Sequence, residues 1–127
     1  MQKILFNLKF MGYLFLFFAL VLNATANILV KIGSHGINDF VEFGFIKGLI
    51  NNYILIVGIF LFALNVIFYI IALSKINLSI AYPVLAGGGF LIITIVSFLY
   101  LKEQITISHI LGMLFLIIGI ILIVNRP

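Results

Sequence analysis

Four apolar runs, each about twenty residues long, limit what this chain can fold into. They extend from Met11 to Val30, Tyr53 to Leu73, Ile80 to Leu101 and Ile105 to Val124. The hydrocarbon core of a bilayer is ~30 Å thick, and an α-helix of ~20 residues just spans it. Backbone N–H and C=O groups in lipid need partners from the protein itself, so each run reads as a helix. A membrane barrel would instead show short alternating segments. The expected fold is all-α: an integral membrane protein of four transmembrane helices in a compact antiparallel bundle, with residues 1–127 as one domain. Ser74–Ser79 and Lys102–Gln104 are tight connections between the last three spans. The longer Gly33–Asn52 connection carries Phe40, Val41, Phe43, Phe45 and Ile46 among Gly, Asn and Asp, and reads as an interfacial segment leading into the second span. Lys3, Lys9, the first apolar run and Ala24-Thr25-Ala26 imitate a cleavable secretory signal. Asn23 and Asn27 interrupt that run where a signal stays smooth, so it is read as a retained span.

Composition supports this and closes other routes. The chain is 65% apolar and 8% charged, against ~45–50% and ~25% in soluble domains. A water-facing globule and a disordered chain are both ruled out. With no cysteine there is no disulfide scaffold, thiolate chemistry or iron–sulfur site. Two histidines and three acidic residues, without HExxH spacing, leave little for a metal, and no P-loop is present; no metal or cofactor is expected. The spans hold no nucleophile–base pair and no paired carboxylates, so an enzyme is not expected. Seven Lys and Arg against three Asp and Glu give +4, but the basic residues are scattered singly. A nucleic-acid surface would cluster them. Here they read as interfacial anchors facing anionic membrane lipid. With four crossings, Lys3, Lys9, Lys75 and Arg126 share one side and Lys31, Lys47 and Lys102 the other. That four-to-three bias leans towards cytoplasmic termini.

Polar groups inside a membrane are costly, so each is a candidate for function. Asn23, Asn27 and Lys31 fall at i, i+4 and i+8, one stripe of the first helix. They form either a wall facing a cavity, with Lys31 attracting an anionic headgroup or phosphate, or an interhelical hydrogen-bonding pair with a snorkelling lysine. Asn65, deep in the second span, and Tyr69 one turn later are candidate ligand groups or packing glue. Tyr82, a further candidate for substrate contact, opens the third span, followed by Pro83 and by Gly87, Gly88 and Gly89. Pro83 removes a helix donor and the glycines weaken or bend the helix, giving a gating element or a packing groove. Gly112 and Gly119 share one face of the fourth span, and such small residues let helices approach closely, which points to a dimer interface. Glu103, beside Lys102, reads as a solvated interfacial residue, and His109 as structural. Asp39, Glu42 and Glu103 all fall in connections, so no span holds an acid for proton exchange.

Ile80-Ala81-Tyr82, Gly87 and Gly89, Lys102-Glu103, and Gly112 through Gly119-Ile120 occur in an order and spacing that resembles the small multidrug resistance, EamA-like branch of the drug/metabolite transporter superfamily. The resemblance covers most of the chain and is best from Ile76 onward. Gly112–Ile120 looks like that family's fourth-helix dimerisation motif, and Lys31 matches a recurring basic position. The drug exporters carry a glutamate two turns before that basic residue, where this chain has Asn23. They also carry a tryptophan after the Ala-Tyr of the third helix, where it has Leu85. Paired subunits similar to the aminoarabinose–phosphoundecaprenol flippase lack the glutamate and carry Ile-Ala-Tyr-Pro, which looks like Ile80–Pro83. The resemblance implies a homodimer, or a heterodimer with a similar four-helix subunit. Its substrate would be a polyprenyl-phosphate-linked sugar or similar amphipathic molecule, moved across a bacterial inner membrane. Lys31 would then engage phosphate, and Asn23 and Asn27 sugar hydroxyls. The alternatives are an exporter of small cationic or polar solutes and a non-transporting accessory subunit of a membrane complex.

Overall fold

Between Tyr53 and Leu73 no charged residue interrupts the apolar sequence, and a chain of that kind in lipid can satisfy its backbone only by coiling on itself. The structure, a computed structural model, describes residues 2–34 and 45–125. Its helices are α1 (Gln2–Gly33), α2 (Phe45–Asn51), α3 (Tyr53–Leu73), α4 (Leu78–Leu99) and α5 (Ile107–Val124). Four segments are long and apolar enough to cross a membrane: Phe6–Gly33, α3, α4 and α5. Among the described residues there is no strand. The protein is an all-α, multi-pass membrane protein.

The helix ends depart from the apolar runs for local reasons. α1 continues back through Lys9 and Lys3 to Gln2, because lysine is a good helix former outside lipid as well as within it. Its 32 residues extend about 48 Å, well beyond the hydrocarbon core. Part of the long first connection is helical, as α2; Phe40, Val41 and Phe43 lie outside the described residues. The last connection is longer than Lys102–Gln104, because α5 starts only where the Thr106 hydroxyl accepts the His109 N–H. Within it Lys102 adopts a left-handed φ of 55° and the Glu103 N–H donates to the Ser97 carbonyl at 3.1 Å, which folds the chain back over the end of α4. Asn52 serves two helices at once. Its Nδ2 donates to the Gly33 carbonyl at 2.6 Å and its Oδ1 accepts from the Leu55 N–H at 3.1 Å, joining the end of α1 to the start of α3.

Small residues then decide how the helices meet. α1 lies along α3 and, less extensively, along α4, while α5 rests mainly on α4. A Cβ on Gly33 would stand 2.9 Å from Leu55 Cβ and 3.0 Å from its backbone nitrogen; one on Gly58 would meet Val30 at 3.0 Å. Gly12 lies as closely against Ile76. These three contacts fix an antiparallel register that also sets Leu16 level with Ala72, both in the buried cluster with Ala19, Ile76, Ala81 and Leu85. Phe15 and Phe18 of α1 flank Phe68 of α3, each with ring centroids 6.0 Å apart.

Gly33→Ala and Gly58→Ala should each lower unfolding stability in detergent by about 1–3 kcal/mol, since each new methyl meets backbone that cannot yield. Gly112→Ala, with open space around its Cα, should leave protomer stability within ~0.5 kcal/mol of the parent.

Candidate functional site

The polar stripe of α1 is organised within its own helix. Asn27 Nδ2 donates to the Asn23 backbone carbonyl at 2.8 Å and to Asn23 Oδ1 at 3.2 Å. The two asparagines therefore bond along α1 rather than across to another helix. Two turns beyond Asn23, Lys31 Nζ lies 3.5 Å from Glu103 Oε1, with the two side chains 53% and 48% exposed. Glu103 reaches it from the α4–α5 connection, where the Lys102 turn and the bond to Ser97 hold its backbone.

Beside this ion pair is a cavity of about 260 Å³ lined by Asn27, Ile28, Lys31, Ile93, Ser97, Leu101 and Glu103. A second, of about 220 Å³, is lined by Phe90, Ile93, Thr94, Ser97, Glu103, Gln104, Ile105 and His109. Ile93, Ser97 and Glu103 are common to both, so Glu103 stands on the wall between them. Thr94 and Ser34 donate their hydroxyls to carbonyls of their own helical turns, and Thr106 Oγ1 lies 2.7 Å from His109 Nδ1. The lining offers one ammonium, one carboxylate, two side-chain amides and the Ser97 hydroxyl. An anion could displace Glu103 from Lys31, and a cation could displace Lys31 from Glu103.

The remaining candidates lie deeper or elsewhere. Asn65 is only 4% exposed, and its Oδ1 has no hydrogen-bond partner; the Tyr69 hydroxyl one turn later is likewise unpartnered. Neither oxygen makes a hydrogen bond within the protomer. The α1–α3 register brings Asn65 level with Asn23, and a Cβ on Gly89 would stand 3.1 Å from Asn23 Nδ2. Asn23, Asn65 and the glycine run thus share a depth near the middle of the bundle. α4 runs unbroken through Pro83 and Gly87–Gly89. Its glycines take packing contacts: Gly87 receives Leu116 and Ile120 of α5, and Gly88 receives Leu20 of α1. Tyr82 is 61% exposed and lines neither polar cavity. Gly112 and Gly119 have nothing within 4 Å of a built Cβ, and no residue of α5 is buried.

Sequence reasoning missed Glu103 and Ser97 as site residues. The available signal was crossing parity: the end of the first span and the last connection lie on one side, which puts Lys31 and the Lys102-Glu103 pair within reach of each other.

Four membrane helices in so short a chain, with a polar stripe leading to an ion pair at a cavity, define a small multi-pass membrane protein. The chain belongs to the small multidrug resistance family of membrane transporters, whose model matches residues 11–117. It is 32% identical over 114 residues to the uncharacterized protein y4nH of Sinorhizobium fredii, covering 84% of this chain and 89% of that one. It is 28% identical over 111 residues to the uncharacterized membrane protein YvaE of Bacillus subtilis, covering 87% of this chain and 82% of the relative. No solved structure matches.

Half-exposed ion pairs contribute little to stability. Lys31→Gln and Glu103→Gln should each change unfolding stability by less than ~1 kcal/mol, so a binding defect in either variant can be measured on folded protein.

Proposed function

We propose that this chain is one subunit of a dimeric carrier for an amphipathic polar substrate, with a polyprenyl-phosphate-linked sugar as the leading class. The passage lies between protomers, in a bacterial inner membrane, with both termini cytoplasmic. The observation that carries this reading is the shared cavity of Asn27, Lys31, Ser97 and Glu103, beneath a first helix with an amide at position 23 in place of an acid. Lys31 receives the phosphate once Glu103 is displaced, and Asn23 and Asn27 offer amides to sugar hydroxyls. Asn65 and Tyr69 contribute unpartnered oxygens deeper in the bundle. Tyr82 meets substrate from the outer face of α4, which in a dimer can border the passage. Pro83 and Gly87–Gly89 let α4 flex as the passage opens. Gly112 and Gly119 join the protomers; support comes from the open space around both glycines and from the family, whose members commonly work as dimers.

A second reading, export of a small cationic or polar solute, has one observation in its favour. Glu103 lines both cavities and is half exposed, so it can take a cation or a proton. Family membership is compatible with either substrate class.

Reconstituted protein distinguishes the two. Under the leading reading, Lys31→Ala loses about tenfold or more in affinity for a polyprenyl phosphate, as expected for a charge-assisted contact. Lys31→Arg retains binding, and substrate produces no proton flux. Substrate-dependent proton flux abolished by Glu103→Gln, with lipid-phosphate binding untouched by Lys31→Ala, would establish small-solute export instead. Gly112→Leu with Gly119→Leu should dissociate the dimer while leaving the protomer helical by circular dichroism. If Asn23→Ala and Lys31→Ala leave transport intact, both transport assignments to this cavity are wrong and an accessory role gains ground.

A further inference from the structure

The end of the bundle away from Lys31 and Glu103 has a different electrostatic character. Crossing parity gives that side Lys3, Lys9, Lys75 and Arg126 and none of the chain's acidic residues. Among the described residues Glu103 lies instead at the Lys31 end, in an ion pair with Lys31.

On that face is a notch of about 90 Å³ lined by Lys9, Tyr13, Lys75, Ile76, Asn77 and Ile80. Lys9 and Tyr13 are one turn apart on α1; Lys75 and Asn77 come from the α3–α4 turn. Gly12 makes the meeting possible: a Cβ there would stand 2.9 Å from Lys75 Cβ and 2.8 Å from Ile76 Cγ1. Only a residue without a side chain lets α1 lie against the turn and bring both lysine stems to one notch. Among the described residues neither lysine forms an ion pair. Asn77 occupies the cap position of α4, yet its side chain makes no capping hydrogen bond, so its amide is free. Ile76 and Ile80 supply an apolar floor beside these polar groups. The notch is thus lined by two lysines and by no acidic side chain.

We infer that this notch binds a phosphate group at the membrane boundary, held by Lys9 and Lys75 with Tyr13 and Asn77 as neutral hydrogen-bonding partners. The phosphate is carried either on an anionic phospholipid headgroup or free in solution. The inference is independent of the substrate assigned to the Lys31 cavity, which lies at the other end of the helices.

Native mass spectrometry of the full chain in mild detergent tests it, with phosphatidylglycerol, diacylglycerol and inorganic phosphate as probes. Phosphatidylglycerol should form a saturable adduct, and diacylglycerol, which has the chains without the phosphate, should not. Lys9→Gln and Lys75→Gln should each weaken that adduct about fivefold, the effect of one lysine at an anionic surface. Lys75→Arg should retain it. Lys3→Gln removes the same charge from the same face outside the notch and should cost less than roughly twofold by the same reasoning. Displacement of the lipid by millimolar phosphate would mark a site that also takes free phosphate, and persistence would mark a headgroup site. Equal losses in Lys3→Gln and Lys9→Gln, or diacylglycerol binding as tightly as phosphatidylglycerol, would overturn the proposal.

Discussion

Inside a bilayer, side chains gain nothing by leaving lipid for one another, so α1 and α3 must hold by the close approach of their backbones. Gly33, Gly58 and Gly12 supply that approach, and Ala19 and Ala26, both fully buried, extend the small-residue seam. Leu16 is the only large side chain among the described residues that is almost completely enclosed. Everything else in the arrangement follows from this seam. Its register sets Asn23 level with Asn65, and the Asn52 clamp closes its end. α1 then stops where the α4–α5 connection returns, which is why Lys31 meets Glu103.

From mid-bundle to the Lys31 end, the polar groups separate into two depths with different chemistry. Near mid-bundle there are amides, a phenol and bare glycine backbone, none of which changes charge near neutral pH. At the end there is an ammonium against a carboxylate, in partial contact with water. An amide at position 23 can hydrogen-bond a substrate but cannot take up or release a proton with it. Burying an unpartnered carbonyl such as that of Asn65 costs about 1–3 kcal/mol, an expense with no return in the packing of this protomer.

The spans were legible in the sequence because their signal is bulk hydrophobicity, which needs no knowledge of neighbours. Their ends were less so. The extension of α1 back through Lys9 and Lys3 and the start of α5 at Ile107 follow helix propensity and the Thr106 cap rather than the edge of an apolar run. The Asn23–Asn27–Lys31 stripe could be read from its spacing, but its bonding pattern could not, because an amide pair satisfies itself as readily as it satisfies a neighbour. Gly87–Gly89 was compatible with bending and with packing, and only the structure shows which side chains of α5 and α1 reach Gly87 and Gly88. Tyr82 shows the general difficulty. A helix in lipid is apolar on every side, so the amphipathic pattern that orients a soluble helix is missing. Crossing parity could place Glu103 on the Lys31 side, but its contact with Lys31 depended on tertiary register.

Among the described residues the buried side chains belong to α1, α3, α4 and the turn at Ile76, and none to α5. α5 rests on α4 at Gly87, which receives Leu116 and Ile120. The packed core and the α5 surface are therefore written in separate stretches of the chain. Changes in α5 can alter the outer surface of the protomer without unpacking α1, α3 and α4, which hold its buried residues. A helix that contributes nothing to the interior is free to change its outward face while the packing of the other three is kept.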